Sequence, residues 1–384
     1  MASFTPFCPV DVRVLPKAQG EAALREMLLG RAEKLLVLAP RSLCTRLSLA
    51  ALFTALQGDG HCLHLVTDVP PNPSVQRLAD LLAQLREQDF APSCILAIGG
   101  GSCMDLAKGV SALWSLPLED IADSEAVGRT IREKKYLRQD RVLPGILTMP
   151  TTAGTGSEVT RWATLWDTGR GQKLSIDWAQ GFPKAAILIP EWTAGMSASL
   201  TLSTGLDALS HAMEAFWAKA RTPLSQALAL GAVDRVRRFL PQVLASPQDI
   251  PLRQEMCTAS LLAGLAFSQT RTTACHSLSY PLTLRHGLPH GYAAALTLAS
   301  VMRRNAAVLP EIERLSSLFD EDEGFPSWLQ QVSRGIQDLR LSAFGVEEEA
   351  LPGIAQAAFT AGRMDNNPVI FTQEQCLEIL RECY

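Results

Sequence analysis

Over its first 190 residues the chain alternates short apolar runs with stretches of helical period, and then the alternation stops. The runs that read as strands are K-L-L-V-L-A at 34–39, C-L-H-L-V-T at 62–67, C-I-L-A-I-G-G-G-S at 94–102, G-I-L-T-M-P at 145–150 and A-A-I-L-I-P at 185–190. Helical patterns at 42–57 and 74–88 lie between the first of them. Strands separated by helices need crossover connections, which demand a parallel sheet with helices on both faces. W-A-T-L-W-D and Q-K-L-S-I flank T-G-R-G and read as a separate hairpin. The charged stretch 116–141 reads as an exposed excursion. Beyond about 195 only helical stretches follow, at 201–219, 223–240, 252–268, 290–305, 310–318, 325–336, 347–361 and 372–382. A prior of roughly 150 residues per domain allows two or three domains. The pattern favours two: an α/β domain with a parallel sheet over 1–190 and an all-α domain over 191–384.

Charge and composition exclude several classes. Lys and Arg number 35 against 39 Asp and Glu, a net charge of −4, with 47% apolar and 19% charged residues. Nothing there points to disorder, nucleic acid or a polybasic membrane surface. The nine cysteines form no C-x-x-C pair and their odd count fits a disulfide framework poorly, so reduced thiols in a cytoplasmic protein are expected. The stretch MASFTPFCPVDVRV lacks a basic region and an apolar run, so no secretory leader is expected. No apolar run reaches the about 18 residues of a spanning helix, so no membrane segment is expected.

Two loops at predicted strand ends carry phosphate-binding chemistry. In I-G-G-G-S-C-M-D-L-A-K, Gly99, Gly100 and Gly101 let the backbone approach a pyrophosphate, and the helix that follows offers free N–H groups, beginning at Ser102. In P-T-T-A-G-T-G-S-E, Thr151, Thr152, Thr155 and Ser157 offer hydroxyls while Gly154 and Gly156 permit close approach. Two such loops at strand ends point to a dinucleotide lying across the sheet.

The remaining chemistry is metal-type. Asp207 and His211, in G-L-D-A-L-S-H-A-M-E-A, are four residues apart and share one helix face. Of six histidines, His276, His286 and His290 cluster near one another, whereas His61 and His64 flank a strand and read as surface residues. One Asp with clustered His suits a divalent first-row ion such as Fe²⁺ or Zn²⁺.

These motifs, with P-N-P at 71–73, P-H-G at 289–291 and N-N-P at 366–368, resemble the iron-containing (group III) alcohol dehydrogenases over almost the whole length. The resemblance implies an N-terminal dinucleotide-binding domain, a helical C-terminal domain and a metal in the cleft between them, in an enzyme of small aldehydes and alcohols that forms a homodimer. It implies Asp207, His211, His276 and His290 as ligands, and adds Asn72, Asp105 and Lys173 to the cofactor-binding residues.

One departure concerns the proton route. Where many members read H-x-x-x-H-P-L this chain reads H-S-L-S-Y-P-L, so Tyr280 replaces a histidine. Tyr, with a reference pKa near ~10, is the poorer shuttle at neutral pH, and His286, or water with a ribose hydroxyl, stands as the alternative. A second departure follows the first strand. Residues 39–42 read A-P-R-S where NAD-preferring relatives often carry an Asp, so Arg41 favours NADP over NAD.

A finer resemblance, in S-E-V-T-R-W-A-T-L-W-D and T-R-T-T-A-C-H-S-L-S-Y-P-L-T, is to the phosphonoacetaldehyde reductase or hydroxyethylphosphonate dehydrogenase branch. A phosphonate needs cationic donors, for which Arg161, Arg271 and Arg285 are the candidates. The rival readings are a dehydrogenase of an uncharged aldehyde such as lactaldehyde or butanal, a lyase or hydrolase using the same ligands without redox chemistry, and a nucleotide-sensing module.

Overall fold

The computed structural model describes residues 8–30, 33–138, 141–360 and 362–384. Residues 1–7 of the N-terminal stretch, 139 and 140 of the polar excursion, and 361 at the end of the 347–361 pattern lie outside the described residues. The chain divides into two compact units: Met1–Thr152 with Ser157–Gly195, and Ala153–Gly156 with Met196–Tyr384.

The first unit contains β1 (Asp11–Val14), α1 (Lys17–Leu28), β2 (Lys34–Leu38), α2 (Arg41–Arg46), α3 (Ala50–Gly58), β3 (Cys62–Val66), α4 (Val75–Glu87), β4 (Cys94–Gly99), α5 (Gly101–Leu113), α6 (Ser124–Arg132), β5 (Gly145–Pro150), β6 (Trp162–Asp167), β7 (Gln172–Asp177) and β8 (Ala185–Leu188). Six strands form one sheet in the order β1-β8-β5-β4-β2-β3, parallel throughout, and β6 pairs with β7 as an antiparallel hairpin. Alternate side chains of a strand face opposite ways, and here both faces are covered. Leu36, Leu38, Ile95, Ala97 and Ile146 join a core with α4, α5 and α6. Leu35, Val37, Leu96, Ile98 and Met149 join another with α1 and α3. Every residue of β4 is therefore buried, which is why it reads as an unbroken apolar run.

Three local expectations differ from the structure. The stretch 42–57 is two helices, α2 and α3, broken at Ser48, whose φ of 54° is left-handed. The edge strand β1 was not legible, because D-V-R-V is short and its register is set only by its partner β8. The polar excursion holds α6, capped by Asp123, with Val127, Ile131 and Tyr136 buried. Its apolar stripe is narrow among Glu125, Arg129 and Arg132, so composition outweighed period.

The second unit is helical. Its principal elements are α7 (Ala198–Trp217), α8 (Pro223–Ala245), α9 (Ile250–Thr270), α10 (Ala274–His286), α11 (His290–Ala295) and α12 (Leu298–Ala306), followed by shorter helices ending with Gln373–Glu382. Helix α10 had no amphipathic signature because every residue from Ala274 to Thr283 is buried, and Pro281 lies inside it. The pattern at 290–305 is α11 and α12 in succession. The segment Ala153–Gly156 falls with these helices, although its sequence stands next to β5. A Cβ on Gly154 would lie 2.5 Å from the Thr204 carbonyl oxygen, and one on Gly156, whose φ is +57°, 2.5 Å from Gly264 Cα. Those two glycines serve close packing against α7 and α9, which sequence had read as room for a phosphate. No described helix is long and apolar enough to cross a membrane.

Candidate metal centre and nucleotide loops

Helix α7 starts at Ser197, whose side chain accepts from Leu200 N, and every residue from Gly205 to Trp217 is buried. Asp207 and His211 thus project from it into a medium that penalises isolated charge. His276 lies in the first turn of α10 and His290 is the first residue of α11. The three elements bring the four side chains together. From Asp207 Oδ1 the distances are 3.8 Å to His211 Nδ1, 3.7 Å to His276 Nε2 and 4.0 Å to His290 Nε2. Donor atoms of Asp207, His276 and His290 all lie within 4.8 Å of one another. The His211 ring stacks on Phe267 at 4.1 Å and on His276 at 4.5 Å.

These contacts are too long for hydrogen bonds, and Asp207 Oδ1, His211 Nδ1 and His276 Nε2 are buried without a hydrogen-bond partner. Buried polar atoms left unpaired cost roughly 1–3 kcal/mol each. The donor atoms close enough to one another for a single divalent cation are those of Asp207, His276 and His290, and His211 Nδ1 stands beside them, 3.8 Å from Asp207 Oδ1. The residues present therefore fit a metal. At Asp207 and His211 the electrostatics agree with that chemistry, whereas His276 carries a proton that a cation must displace. Burial opposes ionisation of Asp207, but the histidines around it hold its carboxyl down to about 2. Burial outweighs Asp207 at His211 and holds that imidazole neutral, at about 4. At His276 burial is outweighed by Glu214 and Asp207, which raise it to about 10.

Glu214 was missed in the sequence. It is fully buried on α7, two turns beyond Asp207, and its Oε2 meets His276 Nδ1. The signal was present: positions 207, 211 and 214 follow i, i+4, i+7 on one face. Gly291, next to His290, fixes α11 against α7, since a Cβ there would stand 1.8 Å from the Ser203 carbonyl oxygen.

Of the other residues expected near the metal, Tyr280 is one turn beyond His276, buried, with its ring parallel to that of His290 at 6.1 Å. His286 and Arg285 are not there. They end α10, about 15 Å and 14 Å along the axis from His276 at 1.5 Å per residue, and Arg285 is exposed. As a relay, His286 would have to act from the C-terminal end of α10, and Arg285 as a substrate contact from an exposed position beside it. Arg271 closes α9 with a φ of 63° and lines a cavity of about 300 Å³ with Lys219, Gln269 and Asn366. Arg161 belongs to the first unit, where its guanidinium pairs with Asp177 at 2.7 Å.

In the first unit, the loops after β2, β4 and β5 leave the carboxyl ends of three adjacent strands, the usual place for a nucleotide in such sheets. Thr151 N donates to Gly99 O at 3.1 Å, and a Cβ on Gly100 would lie 3.1 Å from Thr152 Oγ1. Gly100 caps α5 with no side-chain hydrogen bond, leaving the helix terminus to other acceptors. Asn72 N donates to Ser102 Oγ at 3.1 Å, and Ser157 Oγ to Asp105 at 3.2 Å. Lys108, fully buried, has Ser157 O, Ser157 Oγ, Thr160 Oγ1 and Trp162 O within 3.2 Å. Burial pushes Asp105 up to about 6 and Lys108 down to about 8, each partly offset by the other. Lys173 lies on β7 and its charge also acts on Asp105. Arg41 is exposed at the start of α2, and Thr155 lies in the segment that joins the helical unit.

The profile of the iron-containing alcohol dehydrogenases matches residues 18–190, and that of the Fe-containing alcohol dehydrogenase family, C-terminal, matches 201–384. The chain belongs to the iron-containing alcohol dehydrogenase family. Among its relatives, the probable alcohol dehydrogenase EutG of Salmonella typhimurium is 32% identical over 81% of this chain and 77% of that one. Phosphonoacetaldehyde reductase of Streptomyces viridochromogenes is 38% identical over 64% of this chain and 60% of that one. Among solved structures, sulfoacetaldehyde reductase from Bifidobacterium kashiwanohense in complex with NAD+ superposes with a TM-score of 0.80, at 26% identity, over 100% of this chain and 98% of that one. As an iron-containing alcohol dehydrogenase the chain is an oxidoreductase, with an α/β N-terminal part and a helical C-terminal part as the family architecture requires.

Proposed function

We propose that this alcohol dehydrogenase reduces phosphonoacetaldehyde to 2-hydroxyethylphosphonate with NADPH, using Fe²⁺ or Zn²⁺ held by Asp207, His211, His276 and His290. The observation that carries the metal reading is the gathering of donor atoms of Asp207, His276 and His290 within 4.8 Å of one another, with Asp207 Oδ1 and His276 Nε2 buried and unpartnered. When bound, the ion supplies Lewis acidity toward a carbonyl oxygen and the nicotinamide supplies hydride. Asp207 stays ionised and offsets part of the cation's charge, and His211 stays neutral and keeps its lone pair. Tyr280 Oη, one turn from His276 and beside His290, delivers the proton that the new hydroxyl requires.

The cofactor reading rests on Arg41. The turn after β2 carries no carboxylate, and its Pro40 Cδ is 3.6 Å from where a Cβ on Gly99 would stand, so the turn that bears Arg41 packs beside the glycine turn. A guanidinium there pairs with a 2′-phosphate. A charge-assisted hydrogen bond is worth about 1.5–3 kcal/mol, so Arg41→Ala is expected to raise KM for NADPH about 10–100-fold and leave KM for NADH nearly unchanged. Steady-state kinetics with both nucleotides decide it, and equal effects remove Arg41 from the account.

The substrate reading is supported by the likeness to phosphonoacetaldehyde reductase and by Arg271, five residues before His276. The deciding measurement is kcat/KM for phosphonoacetaldehyde and for propanal on metal-loaded enzyme. Losing the phosphonate should cost at least about 100-fold, the worth of two charged hydrogen bonds. Comparable values would hand the site to an uncharged aldehyde or alcohol; a 1,3-propanediol dehydrogenase of Klebsiella pneumoniae is 32% identical over 82% of both chains.

A further inference from the structure

We infer that Glu214 is the positioning residue of this site, setting the tautomer of His276 and tying the ligand helices α7 and α10 together. The inference rests on the metal reading above and deepens it.

The carboxylate is the most heavily satisfied acceptor in the helical unit's core. Its Oε1 accepts from Thr273 N at 3.0 Å, Thr273 Oγ1 at 2.7 Å, Cys275 N at 2.8 Å and His276 N at 3.3 Å. Those amides are the first of α10, whose own cap residue, Thr273, makes no side-chain capping bond. Glu214 therefore caps α10 from a different helix, placing negative charge at the positive end of its dipole. Thr273 Oγ1 is held in turn by Trp217 Nε1 at 2.9 Å, one turn further along α7.

The other oxygen does separate work. Glu214 Oε2 faces His276 Nδ1, and an ionised carboxylate can only accept. His276 Nδ1 must then carry the hydrogen. Nε2 is the ring's remaining coordinating atom, and it is the one that lies buried and unpartnered 3.7 Å from Asp207 Oδ1. A carboxylate–imidazole pair of this kind orients a ligand and raises its basicity, and losing it typically costs 10–100-fold in metal affinity.

Glu214→Gln separates the two roles. Its carbonyl oxygen keeps the place among the four donors, so the cap survives. Its amide nitrogen then faces Nδ1 and donates, which moves the ring hydrogen to Nε2 and removes the lone pair from the site. The experiment titrates metal-free protein with Zn²⁺ against a chromophoric chelator and records the thermal midpoint of the metal-free form. Wild type, Glu214→Gln, His276→Ala and the double variant are compared. The expected result is a metal-free midpoint near that of wild type and Zn²⁺ affinity about 10–100-fold weaker in Glu214→Gln, with no further weakening when the substitution is added to His276→Ala. Unchanged affinity, or a loss of equal size in the His276→Ala background, overturns the inference. If the Gln variant does not fold, Glu214→Asp keeps the charge while withdrawing it from Nδ1, and the same weakening is expected. Wild-type protein that binds no Zn²⁺ would instead overturn the metal reading itself.

Discussion

Chelator treatment should abolish turnover, and added Fe²⁺ or Zn²⁺ should restore it; in His276→Ala, restoration should fail. Stabilising the charge that develops on a substrate oxygen is worth several kcal/mol, so kcat/KM should fall at least about 1000-fold in either case. His276 is the informative position because Glu214 holds its Nδ1 while its Nε2 faces Asp207. Its removal takes one donor and leaves Glu214 without its ring partner. Nucleotide binding, followed by nicotinamide fluorescence, should persist in the variant, because the glycine loops after β4 and β5 do not include it. Full activity in metal-free protein, or in the alanine variant, would end the metal assignment.

The second large effect is expected from a single methyl group. Gly291→Ala would put a carbon 1.8 Å from Ser203 O and 2.7 Å from the carbonyl carbon, both backbone atoms. No side-chain rotation relieves that contact. Helix α11 must move from α7, or α7 must deform one turn before Asp207. Overpacking of well-filled cores costs about 1–3 kcal/mol and more when backbone is displaced, so a loss of roughly 3 kcal/mol or more is expected. In a chain of 384 residues unfolding as one unit, that lowers the melting temperature by about 4 °C. Calorimetry on metal-free protein measures it without reference to catalysis. A variant that melts with wild type would mean that the α7–α11 approach is slack, and the ligand geometry drawn from it would fail.

Much of this was legible before any coordinates. Parallel strands β2, β4 and β5 are buried on both faces and so appear as apolar runs, and the loss of strand signal near 195 marks the helical unit. The spacing of Asp207 and His211 gave one edge of the metal site because helix geometry is local. Three things were hidden for physical reasons. Helix α10 is buried on every side from Ala274 to Thr283, so it has no period to detect, and Pro281 lies inside it. Glu214 looks like any acidic residue until the amides of α10 are brought to it. The polarity of Gly154 and Gly156 as a loop concealed that both make room for helices far along the chain. Residues set by tertiary contact, in short, were the ones that pattern could not assign. His286 shows the converse, since nearness in sequence to His290 placed it in the cluster, while ten residues of helix carry it away from His276.

The detour of Ala153–Gly156 bears on the order in which the protein is made. That segment leaves β5 and docks on α7 and α9, yet a ribosome releases it well before either helix exists. Strands β2 to β5 can pair with one another as they emerge, whereas β1 must wait for β8, which follows the segment in the chain. The close packing at Gly156 cannot form until Gly264 has been synthesised. The growing chain must therefore carry Ala153–Gly156 without its packing partners until α7 and α9 have been translated.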